Sequence, residues 1–224
     1  MSSSSWERVK EEIGNRTLCL GPYFAQQLLD NPRHLLFTLS RYKFATKLLP
    51  QGSPVKVLEL GCNEGVGTLM LAEAGHQIIA VDFDEDAIRY AKESLDKPNI
   101  SFIQSDFLAT KFGEFDAVIS LDVIEHIPNS DEDSFFETIC QNLSDTGQCL
   151  IGTPNITASQ YASPRSEVGH INLFTADRLA SLMGKYFEQV FMFGMNDEVV
   201  HTGYFPMCHY LFALGTGKRT QYGD

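Results

Sequence analysis

The chain has 224 residues, 43% of them hydrophobic and 21% charged, which suits one soluble globular domain with a full core and is too short for two comfortable ones. Its 29 acidic residues outnumber 17 basic ones, giving a formal charge of −12. That balance argues against gripping a nucleic-acid backbone, which takes an excess of lysine and arginine, and only Gly217-Lys218-Arg219 forms a small basic cluster.

Residues 1–50 read as a helical cover. Pro22 to Asp30 forms one short segment and Arg33 to Leu49 a longer one, parted by Asn31-Pro32. From Val55 a β-branched run leads through Val57-Leu58-Glu59-Leu60 into the turn Gly61-Cys62-Asn63-Glu64-Gly65-Val66-Gly67, and a helical pattern covers 65–75. Glycine has no Cβ, so such a turn lets backbone N–H groups close in on a ligand, and the following helix adds its partial positive end. Asn63 interrupts the glycines, but asparagine is the non-glycine residue that best tolerates φ > 0.

Ile78-Ile79-Ala80-Val81-Asp82 reads as a second buried strand. Its closing acid lies about twenty residues past the glycines, where a carboxylate accepts bonds from two ribose hydroxyls. A helix over 84–95, capped by Asp84, follows. Asn99 to Gln104 is a third strand, leading to Ser105-Asp106-Phe107, and Phe115 to Leu121 is a fourth. A helix from Asp131 to Leu143 precedes a fifth strand, Gln148 to Thr153, ended by Pro154-Asn155. Residues 155–172 are polar and read as a long functional loop, after which a helix starts at Phe174-Thr175-Ala176-Asp177 and reaches Met183. The aromatic-rich stretch from Tyr186 to Gly215 supplies the last two strands, joined around Thr202-Gly203-Tyr204-Phe205-Pro206.

From about residue 38 to 183 this order of motifs resembles the class I S-adenosylmethionine-dependent methyltransferases. Glu59-Leu60-Gly61-Cys62 is similar to the family's first motif, Asp82 to its ribose-binding acid, and Asp106 to the acid that meets the adenine amino group. The resemblance implies an α/β fold: a Rossmann-like, doubly wound, seven-stranded sheet with its last strand antiparallel. It also implies a helical cover at 1–50, a cofactor-binding methyltransferase domain at 51–217 and a tail at 218–224. The implied S-adenosylmethionine site comprises Arg41, Glu59, Gly61, Cys62, Asn63, Gly65, Asp82, Phe83, Asp106, Phe107 and Leu121. Arg41 is either a partner of the methionine carboxylate or a solvated arginine on an amphipathic helix. A nicotinamide-dependent dehydrogenase competes for the turn alone, but Asn63 breaks the Gly-x-Gly-x-x-Gly spacing it needs.

Methyl transfer from a sulfonium needs an aligned nucleophile and, where the nucleophile is protonated, a base. Residues Leu121-Asp122-Val123-Ile124-Glu125-His126-Ile127-Pro128 follow the fourth strand, and His170 lies beyond the fifth. The Glu-His pair and later histidine resemble quinone-biosynthesis O-methyltransferases and small-RNA 2′-O-methyltransferases. In the RNA branch an acid three residues earlier completes a divalent-metal site, which maps onto Asp122, Glu125, His126 and His170 and implies Mg²⁺ or Mn²⁺. Three readings stand open. His126 or His170, with Asp122, performs metal-free general base catalysis; or the four residues hold a metal; or the acids favour a helix N-terminus and the histidines are ordinary polar residues. His201 and His209 either reach the pocket or cap a strand connection.

The expected reaction is transfer of a methyl group to an oxygen, or less favourably a nitrogen, of a small metabolite. The alternatives are a metal-dependent RNA 2′-O-methyltransferase and a non-catalytic cofactor-binding partner protein. Five scattered cysteines (Cys19, Cys62, Cys140, Cys149, Cys208) without a Cys-x-x-Cys pair argue for a reducing compartment and against a disulfide framework or structural zinc. No apolar run reaches membrane-spanning length and Met-Ser-Ser-Ser-Ser-Trp is no signal peptide, so the expected location is cytoplasmic.

Overall fold

The computed structural model describes residues 3–15 and 17–220; the last four residues of the expected tail lie outside this description. Eight strands form one sheet: β1 (Lys56–Leu60), β2 (Gln77–Asp82), β3 (Ile100–Gln104), β4 (Phe115–Leu121), β5 (Leu143–Pro154), β6 (Phe187–Asn196), β7 (Val199–His201) and β8 (Tyr210–Lys218). Their order is β3-β2-β1-β4-β5-β8-β6-β7. The five strands from β3 to β5 run parallel, and β8 enters antiparallel between β5 and β6.

Among the described residues eight α-helices surround the sheet: α1 (Ser3–Ile13), α2 (Pro22–Asp30), α3 (Pro32–Leu48), α4 (Thr68–Glu73), α5 (Glu85–Ser94), α6 (Glu132–Asn142), α7 (Pro164–Gly169) and α8 (Ala176–Gly184). Alternate residues of β1 explain the layering, because successive side chains point to opposite faces. Leu58 and Leu60 join a core with Phe135, Phe136 and Ile139 of α6 and Leu179 and Met183 of α8. Val57 joins the other core with Tyr42 and Ala45 of α3, Leu71 of α4 and Ile88 of α5. A sheet covered on both faces needs near-continuous apolar strands, and β4 is buried at six of its seven positions. α3 is therefore part of the packed layer, beyond the covering role its sequence position implied.

The seven expected strands are all present, and the three-residue β7 adds an eighth at the edge. Asp197 adopts a positive φ of 50°, which reverses the chain tightly enough for Val199 to pair with Asn196. β5 begins at Leu143, five residues before the expected Gln148, and β8 continues through Lys218, one residue into the expected tail. The first expected helix after β1 is shorter than 65–75: the chain stays in turns until Thr68. The loop over 155–172 carries a 3₁₀ segment, Ile156–Tyr161, and α7. α1 falls within the helical cover expected over 1–50, although no separate segment was marked there. All five cysteine thiols are free, and no helix among the described residues is long and apolar enough to cross a membrane.

Phe136 is fully buried and stacks on Tyr186 at 4.9 Å between ring centroids. Phe136→Ala should cost about 3–5 kcal/mol, read as a lower urea midpoint with an unchanged slope.

Candidate active site

The cleft opens at the carboxyl ends of β1 and β4. Gly61, with φ of 81°, turns the chain as its N–H donates to Val81 O at 2.8 Å, and the Cys62 N–H donates to the same oxygen at 3.0 Å. A Cβ on Gly61 would lie 2.2 Å from a Val123 methyl, so both the dihedral and the packing demand glycine here. Asn63 takes the left-handed conformation at φ 49°, as its residue type allowed. Its N–H donates to Asp82 Oδ2 at 2.7 Å, while Asp82 Oδ1 accepts from Asp84 N–H at 3.0 Å. Asp82 thus ties the loop after β1 to the loop after β2. Burial pushes its carboxyl above the usual range, against the pull of these backbone donors. Asp84 caps α5 through Asp86 N–H and Ala87 N–H, as its position suggested.

A cavity of about 570 Å³ runs from this loop to the residues after β4. Gly61, Cys62, Asn63, Asp82, Phe83, Phe107 and Leu121 of the expected cofactor set line it. Arg41 lines it too, and is paired there with an acid of this chain. Its Nη1 donates to both oxygens of Asp122, at 2.8 and 2.7 Å, and its guanidinium sits 4.0 Å over the Tyr210 ring. The remaining expected members stand off the cavity wall. Glu59 lies beneath the turn and accepts from the Tyr42 hydroxyl at 2.7 Å. Gly65 faces the Phe102 ring, which a Cβ would meet at 2.6 Å. Asp106 is exposed, its Oδ1 accepting from Leu108 N–H at 3.1 Å.

At the far end, Asp122 leaves β4 in the left-handed region, φ 59°, with its N–H donating to Gly152 O. That turn places its carboxylate on Arg41, outside the donor set formed by the other three expected ligands, which lie on and beyond the 3₁₀ turn Ile124–His126. Even spacing on a helix would have kept Asp122 and Glu125 on one face; the left-handed residue breaks it. Glu125 is fully buried: Oε2 accepts from the Thr153 hydroxyl at 3.0 Å and Oε1 has no partner. Burial, and then the Asp122 charge, push its carboxyl up to about 8.

His126 Nδ1 donates to Gly169 O at 2.8 Å, a contact that in the neutral ring leaves the lone pair on Nε2. The His126 and His170 rings meet edge to face with centroids 5.1 Å apart. Burial, and then His126, lower the His170 pKa. One donor atom each from Glu125, His126 and His170 falls within a 4.8 Å set. The chain therefore gathers three of the four expected ligands. His201 and His209 stay off the cavity wall: His201 accepts from Gly203 N–H through Nδ1 and His209 packs edge-on against Tyr161.

The sequence reading missed much of the rest of the cavity wall: Tyr23 and Phe24 from α2, His34 and Thr38 from α3, and Arg165 from α7. The helix starts at Pro22 and Pro32 were visible, but no local signal says which face meets the cleft.

A doubly wound sheet with antiparallel β8, and a cleft spanning its reversal point, defines a Rossmann-like cofactor-binding fold of the methyltransferase type. Residues 57–147 match the family described as a methyltransferase domain. The chain is 31% identical over 140 residues to a probable S-adenosylmethionine-dependent methyltransferase of Mycobacterium tuberculosis, a match covering 61% of this chain and 50% of that protein. It is 28% identical over 138 residues to a ubiquinone biosynthesis O-methyltransferase of Xanthomonas axonopodis pv. citri, covering 59% and 56%. In fold it is similar to a possible histamine N-methyltransferase of Thermotoga maritima, with a TM-score of 0.66, 19% identity and coverage of 88% and 94%. Residues 57–147 are thus similar to a methyltransferase domain, and the chain shares the fold of solved S-adenosylmethionine-dependent methyltransferases. The chain spans about half the length of the curated relatives it matches.

Burial also pushes Glu59 up to about 7, despite the Tyr42 hydroxyl that donates to it. The folded chain then holds a proton that the unfolded chain releases near its ordinary pKa, so stability falls as pH rises from about 5 to 8. Glu59→Gln should remove part of that slope, measured as urea midpoints across the range.

Proposed function

We propose that the chain transfers the methyl group of S-adenosylmethionine to an oxygen of a small metabolite, with nitrogen the less favoured acceptor atom. The single observation that carries this reading is one cavity joining Asp82 and the glycine turn to His126 and His170. The cofactor supplies the activated methyl and its leaving group, and the protein aligns the acceptor and takes its proton. Gly61, Cys62 and Asn63 would bracket the methionine end, Asp82 the ribose, and Phe83 and Phe107 the adenine. His126 Nε2, with its proton fixed on Nδ1 by Gly169 O, is the candidate base for an acceptor hydroxyl. The acidic composition argues against RNA as acceptor, and a purely cofactor-binding role leaves the histidine pair without a task.

One observation favours a second reading of the same end. Glu125, whose Oε1 is unpartnered, is gathered with His126 and His170 as two histidines and a carboxylate suited to a divalent ion, His126 oriented from behind by Gly169 O and Glu125 by Thr153. Glu125, His126 and His170 would hold Mg²⁺ or Mn²⁺, which would lower the pKa of an acceptor hydroxyl. Asp122 stays with Arg41.

S-adenosylhomocysteine at a hundredfold over its Kd should add about 2.7 kcal/mol, raising Tm by roughly 5–10 °C. Asp82→Ala should lose that shift, and NADH should give none; a shift with NADH alone overturns the reading. Once an acceptor is found, His126→Ala should lower kcat about 10²–10⁴-fold while S-adenosylhomocysteine still binds. Activity that survives thorough chelation would select the metal-free base; activity lost on chelation and restored by Mn²⁺ would select the metal.

A further inference from the structure

We propose that Glu64 is a positioning residue that couples the glycine-rich cofactor loop to α2, so that cofactor binding and assembly of the acceptor wall are one event. This rests on the cofactor reading above and adds a working order to the site: cofactor first, acceptor second.

Glu64 is 5% exposed, yet it sits in a loop whose neighbours face the cleft. Its carboxylate points away from the cavity to the start of α2, where Oε1 accepts from Tyr23 N–H at 2.8 Å and Oε2 from Phe24 N–H at 2.9 Å. These are orphan donors of the first helical turn, and a carboxylate is the group that suits them. The preceding residue is shaped to admit it: a Cβ on Gly21 would lie 2.3 Å from the Glu64 carboxyl carbon. The bond pair therefore joins segments 40 and 41 positions apart through a fit in which both partners are specified.

α2 has little else to hold it. Among its side chains only Phe24 and Gln27 are buried, while Leu28 and Leu29 are 48% and 80% exposed. Among the described residues its other ties, besides packing against α3, are Arg165 Nη1 to Gln26 Oε1 at 2.6 Å and, just before the helix, Ser94 Oγ to Cys19 O at 2.6 Å. An element with so few buried contacts opens locally at low cost. At the same time Tyr23 and Phe24 line the cavity, so displacement of α2 removes the acceptor wall.

The loop end of this link is just as direct. Asn63, the residue before Glu64, donates its N–H to Oδ2 of Asp82, the carboxylate expected to meet the ribose hydroxyls. A ligand drawn to Asp82 and the glycine turn fixes Asn63, and the adjacent peptide then fixes Glu64 and the α2 amides.

The test is amide hydrogen exchange of α2 in the full chain, with and without S-adenosylhomocysteine. In the wild type the ligand should slow exchange of the Tyr23 and Phe24 amides at least tenfold, and thermal shift should report binding in the same samples. Glu64→Gln keeps the shape but leaves one acceptor oxygen for two donors. It should still bind the ligand while the protection of α2 is lost. Gly21→Ala, outside the cofactor loop, should lose it in the same way. Ligand binding to the wild type without a change at Tyr23 and Phe24 overturns the coupling and leaves the cofactor reading standing. Full protection retained in both variants overturns it too. No thermal shift in the wild type removes the cofactor reading and the coupling with it. The wild-type arm decides even where a variant fails to fold.

Discussion

The parallel pairing of β1 with β4 governs this molecule. β1 hands the chain to α4 on one face of the sheet, and β4 hands it to α6 on the other. Two loops that leave adjacent strands for opposite faces must part, and the cleft is the gap between them. Everything placed at the site comes from what borders that gap. The glycine turn closes one side, the 3₁₀ turn Ile124–His126 the other, and Asp82 binds the next loop in by accepting from both Asn63 and Asp84.

Within this frame the buried charges divide by environment. Arg41 and Asp122 neutralise each other with two short contacts at partly buried positions, tying α3 to the end of β4. A charge in such a place costs less paired than alone, and removing one partner would leave the other uncompensated. Glu125 has no cation of its own, so burial favours its protonated form; Glu59, which also lacks a cation and accepts from the Tyr42 hydroxyl, follows the same rule. The two ends of the cavity therefore differ in kind. The cofactor end offers backbone donors and one carboxylate, and the acceptor end offers histidines beside a carboxyl group that gives up its proton reluctantly.

Much of the fold was legible because its signals are local. β-branched apolar runs marked β1, β2 and β4, and Phe115–Leu121 and Pro22–Asp30 fall where the sequence put them. Asp84 and Thr175 cap helices through their own side chains, a short-range chemistry that needs no tertiary context. β7, at the sheet edge, and the early start of β5 were illegible, since each exists only where a neighbouring strand offers its hydrogen bonds. The site divides in the same way. Gly61, Asn63 and Asp82 were readable because a turn and a strand end fix their place. Tyr23, His34 and Arg165 were not, because which face of a helix meets a cleft is settled by packing.

The residue types thus determined, without help, an alternating α/β chain, a tight ligand-facing turn, an acid at the end of β2 and a Glu-His pair after β4. Only the tertiary structure decided what those groups do to one another. It gave Arg41 to Asp122, leaving Glu125, His126 and His170 as a set of three, and it turned Glu64 outward to hold α2. The reason is distance along the chain. Backbone preference acts over a few residues, whereas a charge pair or helix tether forms between segments 81 or 41 positions apart once the sheet has brought them together.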